Sequence, residues 1–389
     1  MKFNFEKKID RKNTNCYKWD GIKYKFERTD ILPMWVADLD FETPQAVKKA
    51  IMDRAKHGVL GYTFRPESYY EAFIDWNKKR HDWGIKRRWL LDTPGVVPGI
   101  SFAIQEFSNE NDNILVQSPV YDPFFNAVTY NNRNLIKSSL KNINNKYFMD
   151  FKDLEDKFKN QDIKIMILCS PHNPVGRVWE KEELLQLAEL CIRYRILIIS
   201  DEIHSDLVFK DKKHFPIAKL SEEIAHQSIT FNSPAKSFSL AGLTTSFAII
   251  PNEEIAAAFK DRLFKNGLFV SNIFGIIANE AAYNYGEDWL EELLVYLKGN
   301  YDFIKKFLRK RLPTIKLVQS DGTFLAWLDF SKLYLSQDDL YDLIINRAKV
   351  GLVSGVQYGI EGKNFMRMNI GCSRKIIEEA LKRIENVLN

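Results

Sequence analysis

The sequence predicts an α/β fold: a large domain on a mostly parallel sheet with helices on both faces, joined to a smaller α+β domain. Three observations predict it. Short, wholly apolar runs recur along the first three-quarters of the chain, as strands buried on both faces require. Segments with apolar residues at helical spacing lie between them. After about Gly286 the pattern changes to longer helices separated by strand-like stretches.

Thr43-Pro44 caps a first helix whose apolar positions Val47, Ala50 and Ile51 precede Gly58 as a stop. A second helix follows Pro66, with Tyr69, Phe73 and Trp76 on one face, and ends near Gly84. Strands are expected at 114–116, 163–168, 196–199, 228–231 and 246–250. Between the second and third, an amphipathic helix carries Leu184, Leu187, Leu190, Cys191 and Tyr194. Beyond Gly286, a long helix with Leu290, Leu293, Leu297, Tyr301, Ile304, Phe307 and Leu308 stops before Pro313. Strand-like 323–328, a helix around 340–348, strand-like 365–370 and a last helix (Ile376, Ile377, Ala380, Leu381, Ile384) complete the chain. This assigns 48–285 to the large domain and 1–47 with 286–389 to a discontinuous small one.

Composition narrows the function. The 389 residues carry a net charge of only +5, with the basic residues scattered, so nucleic acid and membrane surfaces are not expected partners. The four cysteines form no C-x-x-C pair and no zinc spacing, which suits a reduced, cytoplasmic protein and no metal. The opening MKFNFEKKIDRK puts charges where a signal peptide would be apolar. The apolar stretch 267–283 is interrupted by Ser271, Asn272, Asn279 and Glu280 and falls short of a membrane span.

Ligands of open parallel sheets sit outside the carboxyl ends of the strands, and three of those ends carry chemistry. The strand at 163–168 runs into Ser170-Pro171-His172-Asn173-Pro174-Val175-Gly176-Arg177, where Asn173 offers an amide in a turn held by prolines. The strand at 196–199 ends in Ser200-Asp201-Glu202-Ile203-His204, and an acid there needs a positive partner if buried. The strand at 228–231 leads into Asn232-Ser233-Pro234-Ala235-Lys236-Ser237-Phe238, where desolvation would make Lys236 a usable amine. Taken singly these are a turn, a helix cap and a surface lysine; together they are far more specific. Upstream, Thr93-Pro94-Gly95-Val96-Val97-Pro98-Gly99-Ile100-Ser101 opens a helix whose amides suit a phosphate, without a Walker or G-x-G-x-x-G pattern. Ser118-Pro119-Val120-Tyr121-Asp122-Pro123 brings an aromatic ring to the same edge. A phosphate cradle, an amine, an acid and an aromatic plate describe a pocket for pyridoxal 5'-phosphate, with the lysine forming a Schiff base and the acid pairing with the ring nitrogen.

With these motifs in place, the sequence resembles the pyridoxal-phosphate-dependent class I/II aminotransferase superfamily of fold type I, and within it the cystathionine β-lyase or C–S lyase group. The resemblance rests on Trp35-Val36-Ala37-Asp38-Leu39-Asp40-Phe41, Gly61-Tyr62-Thr63, the turn from Thr93 to Ile100, Ser118 to Tyr121, Pro171 to Arg177, Ser200 to Leu207, Ser233 to Lys236 and Arg367-Met368-Asn369-Ile370-Gly371-Cys372. It implies that Lys236 binds the coenzyme and acts as general base, that Asp201 pairs with the ring nitrogen, and that Asn173 donates to the ring hydroxyl. It further implies that Tyr121 stacks on the ring, that Gly99, Ile100 and Ser233 hold the phosphate, and that Tyr62 reaches the neighbouring subunit of a homodimer. Arg367 is implied to clamp the substrate carboxylate beside Asn173 and Tyr121.

Two departures favour a lyase over a transaminase. Class I aminotransferases usually place an arginine eight residues after the lysine, where this chain has Thr244, and a tyrosine three residues after the aspartate, where it has His204. The lyase group shares the histidine. A third departure, Ser354-Gly355-Val356-Gln357-Tyr358-Gly359 in place of the group's usual Pro-Gly and Phe-Gly, bears on the substrate side chain. The expected reaction is elimination of a thiol from cystathionine, cysteine or another S-conjugate. The alternatives are an aminotransferase of amino acids and, from another class, a regulatory binding protein on the same fold. Only 34 residues precede Trp35, so a fused DNA-binding regulator is not expected.

Overall fold

Isoleucine, leucine and phenylalanine dominate the runs that become the centre of the molecule, a seven-stranded sheet. Its order is Leu90–Thr93, Ser246–Ile249, Ser228–Asn232, Leu197–Asp201, Ile163–Cys169, Asn113–Ser118 and Asn134–Ser139. Ser246–Ile249 is antiparallel to both neighbours, and the remaining pairs are parallel. The computed structural model describes residues 2–268, 270 and 272–388. Met1, Phe269, Ser271 and Asn389 lie outside the described residues, two of them within the 267–283 stretch.

The strands read as continuously apolar because each face of the sheet is covered. Ile165, Ile167 and Cys169 join one apolar cluster, with Ile114, Val116, Ile199, Ile229 and Phe231. Met166 and Leu168, offset by one residue, join the other with Leu115 and Ile198. Each fully buried aliphatic side chain contributes about 1.5–3 kcal/mol of transfer free energy. Ala278, Ala281 and Ala282 of the helix Ile273–Tyr285 are buried, and that helix packs against Gln45–Lys56 and Glu67–His81. Among the described residues no helix is long and apolar enough to cross a membrane.

A second, antiparallel sheet has the order Lys316–Leu317, Leu325–Asp329, Phe365–Asn369 and Val353–Ser354. The helix Glu287–Arg311 packs against Arg374–Leu388 and the strand Lys316–Leu317. The expected helix around 340–348 is an α-helix, Gln337–Tyr341, that continues into a π-helical turn, Asp342–Arg347.

Residues 34–40 form a strap tied to the second sheet. Asn369 N–H donates to the Met34 carbonyl at 2.8 Å, the Asn369 amide to the Asp38 carbonyl at 2.6 Å, and Asp40 N–H to the Gly371 carbonyl at 2.8 Å. Its acids are neutralised from the N-terminal segment. Lys18 Nζ lies 2.6 Å from Asp40, while Arg11 reaches Asp40 at 2.6 Å and Asp38 at 2.7 Å. Burial opposes the charge on Lys18, and the facing carboxylates of Asp40 and Asp38 outweigh it.

Candidate active site

Tyr121, Asn173 and Lys236 follow the carboxyl ends of parallel-paired strands and Asp201 ends another, and the chain brings all four to one cavity of about 400 Å³. His204 and Ser233 line it too, together with Ala37 from the strap. The Lys236 amine donates to the Ala37 carbonyl at 2.6 Å. Burial lowers Lys236 to about 8, with the Arg367 charge adding to the effect and the carboxylates of Asp38 and Asp201 opposing it. At that value about a fifth of the amine is neutral near physiological pH, far more than for an ordinary lysine.

Asp201 is held by the Ile203 N–H at 3.0 Å, and burial raises it to about 7 against the attraction of Lys236. A cation placed against this carboxylate would recover the charge that burial disfavours. His204 is pushed down to about 3 by burial and by the charges of Lys236 and Arg367, so it is neutral. Its ring meets Phe324 edge-on at 5.7 Å, and among the described residues its buried Nδ1 has no hydrogen-bond partner. Tyr121, raised to about 12 chiefly by burial, stays a neutral ring.

Arg367, on the central part of the strand Phe365–Asn369, donates to Asn173 Oδ1 at 3.2 Å and to the Trp35 carbonyl at 2.7 Å. A guanidinium only donates, so the amide oxygen of Asn173 faces Arg367 and its NH₂ is left to donate elsewhere. Among the described residues the buried Arg367 Nε has no hydrogen-bond partner.

The expected phosphate end and the cavity lining differ. Gly99 and Ile100 do not line the cavity; Gly95, Val96, Val97 and Pro98 do. The helix runs Val96–Phe107, and the Gly99 N–H already donates to the Gly95 carbonyl at 3.0 Å. The amides of Val96 and Val97, in the first turn, have no carbonyl behind them in the helix and are the ones available to an anion. Gly95 starts that turn with φ of 129°, which favours glycine. Gly99 serves packing instead: a Cβ there would meet the Phe231 ring at 2.5 Å. Ser233 lines the cavity, but its hydroxyl donates to the Thr245 carbonyl at 2.6 Å. Tyr62 is not in the cavity; it is 97% exposed, on a stretch without helix or strand.

Sequence reasoning missed Ala37, Val96, Val97 and Cys169 as wall residues. Ala37 had a signal, since its motif was one of those carrying the resemblance. Cys169 had none: it ends an apolar strand opposite Asp201 in register.

These residues fit pyridoxal phosphate: an amine depressed by burial, a buried carboxylate needing a cation, a flat aromatic wall and free first-turn amides beside a glycine. Residues 29–384 match the family "Aminotransferase class I and II". The chain belongs to that family. It is 41% identical to cystathionine beta-lyase PatB of Bacillus subtilis (strain 168), over 99% of this chain and 100% of that protein. Cystalysin from Treponema denticola, whose structure contains pyridoxal 5'-phosphate, superposes with a TM-score of 0.97 at 32% identity, covering 100% of this chain and 99% of that one. The pyridoxal-phosphate-bound C–S lyase from Staphylococcus hominis does so with a TM-score of 0.94 at 34% identity, covering 99% and 98%. The mostly parallel sheet with its second, smaller sheet is thus the fold type I arrangement of this family.

Proposed function

We propose that this chain is a pyridoxal-phosphate-dependent carbon–sulfur lyase that eliminates a thiol from cysteine S-conjugates such as cystathionine, leaving pyruvate and ammonia. The observation that carries elimination over transamination is His204: a neutral imidazole lines the cavity where family aminotransferases usually carry a tyrosine, and the chain is 41% identical along its length to a β-lyase.

Bound pyridoxal phosphate supplies an electron sink for the negative charge left at the substrate α-carbon. The chain's own residues do the rest. Arg367 offers a fork to the α-carboxylate from a buried position beside Asn173, and so orients the Cα–H bond. Lys236 Nζ, neutral in part because it is desolvated, accepts that α-proton. Asp201 would hold a proton at the ring nitrogen, and the Asn173 NH₂ would donate to the ring hydroxyl. Tyr121 would form the ring's apolar wall, and the Val96 and Val97 amides would receive the phosphate beside Ser233, whose hydroxyl is engaged by the Thr245 carbonyl. The strap around Ala37 covers Lys236 and keeps water from the amine.

The active unit is a homodimer, supported by the exposed apolar run of Val59, Leu60, Tyr62 and Phe64, whose Tyr62 is 97% exposed. Residues 48–285 carry the coenzyme, and 1–47 with 286–389 form the substrate-facing small domain. The four cysteines are unpaired, in keeping with a reducing cytoplasm. The second reading, an aminotransferase, shares the same proton abstraction and is favoured by the family match alone. Supplying cystathionine with and without an α-keto acid and identifying the products separates the two.

A further inference from the structure

The residue after each proton-handling group leads away from the cavity into a buried polar network. Ser237, next to Lys236, donates to Asp206 Oδ2 at 2.8 Å. Asp206 Oδ1 receives His81 Nε2 at 3.1 Å, Trp76 Nε1 at 3.0 Å and Arg80 Nε at 3.3 Å. Glu202, next to Asp201, receives His214 Nε2 at 2.9 Å, the Ser200 hydroxyl at 2.9 Å and the Ile217 N–H at 3.0 Å. The two branches meet where the rings of His81 and His214 touch edge-to-face, 5.4 Å apart at 82°. Asp206, Glu202, His81, His214 and Ser237 are all at least nine-tenths buried.

We propose that His81 and His214 are positioning residues that lock Lys236 and Asp201 into one rigid unit; the inference rests on the roles given to Lys236 and Asp201 above. Asp206 and Glu202 are acceptors, and each is bound by a histidine Nε2 and other donors, so each carboxylate is fixed in direction as well as place. The ring contact makes one branch the backstop of the other. Displacement of His214 frees the carboxylate of Glu202, adjacent to Asp201, and displacement of His81 frees that of Asp206, which holds Ser237 beside Lys236; misplacement by about 1 Å costs roughly a hundredfold in rate. A purely structural role would show in melting alone, because removing the donor to a buried carboxylate costs stability wherever that carboxylate sits. The charged groups facing the pair are Asp206, Arg80 and Glu202, with Lys219 on the His81 carbonyl; the wall of the surface cavity beyond carries Lys79, Lys210, Lys212, Lys213 and Lys298 together with Glu287, Glu291 and Glu292.

The test uses the holoenzyme and the variants His81→Leu, His214→Leu, the double Leu variant, and His81→Gln and His214→Gln. Three readouts are taken: thermal melting, the pH midpoint of the coenzyme's visible absorbance band, and kcat against KM. Each Leu variant is expected to shift the midpoint by about one pH unit, a tenfold change in the equilibrium, and to lower kcat roughly tenfold with little change in KM. The Gln variants, which keep a donor near Nε2, should restore both, and the double Leu variant should be no worse than the worse single one. Should the Leu variants fail to fold, Ser237→Ala breaks the Lys236 branch without stranding a charge and is expected to give the same midpoint shift. A midpoint and kcat unchanged while melting alone moves, or strictly additive shifts in the double variant, would overturn the proposal. Lys236→Ala is the control: if its visible band still responds to pH, the assignment of Lys236 has failed and not the network.

Discussion

Arg367 donates to the side-chain oxygen of Asn173 at 3.2 Å, and this contact sets the donor–acceptor sense of the site. It ties the second sheet to the carboxyl end of Ile163–Cys169 and turns the Asn173 NH₂ away from Arg367. Arg367→Lys keeps the charge but loses the fork. We expect kcat/KM for the amino acid to fall about a hundredfold, mostly through KM, while coenzyme affinity changes less than threefold. Steady-state kinetics and coenzyme titration check this.

The two glycines of the 93–101 turn should fail differently. Gly95→Ala strains a φ of 129° at the start of the helix and should weaken coenzyme binding roughly tenfold. Gly99→Ala drives a methyl into Phe231 at 2.5 Å and should lower the melting temperature of the coenzyme-free protein, as overpacking does at about 1–3 kcal/mol. Parallel melts and coenzyme titrations distinguish the two.

Asp206 sets an acid limit on stability. Burial alone would raise it, but the His81 hydrogen bond and the Arg80 charge outweigh that and hold it at about 2. Its folded pKa lies below the unfolded value of about 3.9, so its contribution is complete above that value and is lost as pH falls toward 2. The stability gap between the native protein and Asp206→Asn should therefore shrink by about 2–3 kcal/mol between roughly pH 5 and pH 2. Urea unfolding across that range measures it.

Subunit sharing is tested by hybrids. If Tyr62 serves the partner's site, mixing inactive Lys236→Ala with inactive Tyr62→Ala should restore about a quarter of the activity, because half the dimers are hybrids with one intact site. A fully active monomer in sedimentation contradicts it.

The strands that carry the site were legible because they are buried on both faces: Ile165 and Met166 point opposite ways, and both meet apolar neighbours. The outer strands were not. Asn134–Ser139 is an edge strand with Asn134, Lys137 and Ser139 exposed, so its composition reads as loop. Lys236, Asp201, Asn173 and Tyr121 were readable as strand-end residues, and the structure brings them together. The expected cradle at Gly99 and Ile100 lies four residues past the helix start that lines the cavity, because Pro-Gly occurs in both the 94–95 and 98–99 pairs of that turn. Only the helix start distinguishes the glycine that opens the turn from the one that packs on Phe231. The histidine network escaped notice because His81 and His214 lie 133 positions apart and meet only in the fold.

Both readings of the site share the abstraction of the α-proton by Lys236 and diverge only after it, so the products decide between them. With purified holoenzyme and cystathionine as the sole substrate, pyruvate, ammonia and homocysteine should appear in equal amounts with no α-keto acid added. A requirement for an α-keto acid, with formation of a new amino acid in place of ammonia, would contradict the lyase assignment.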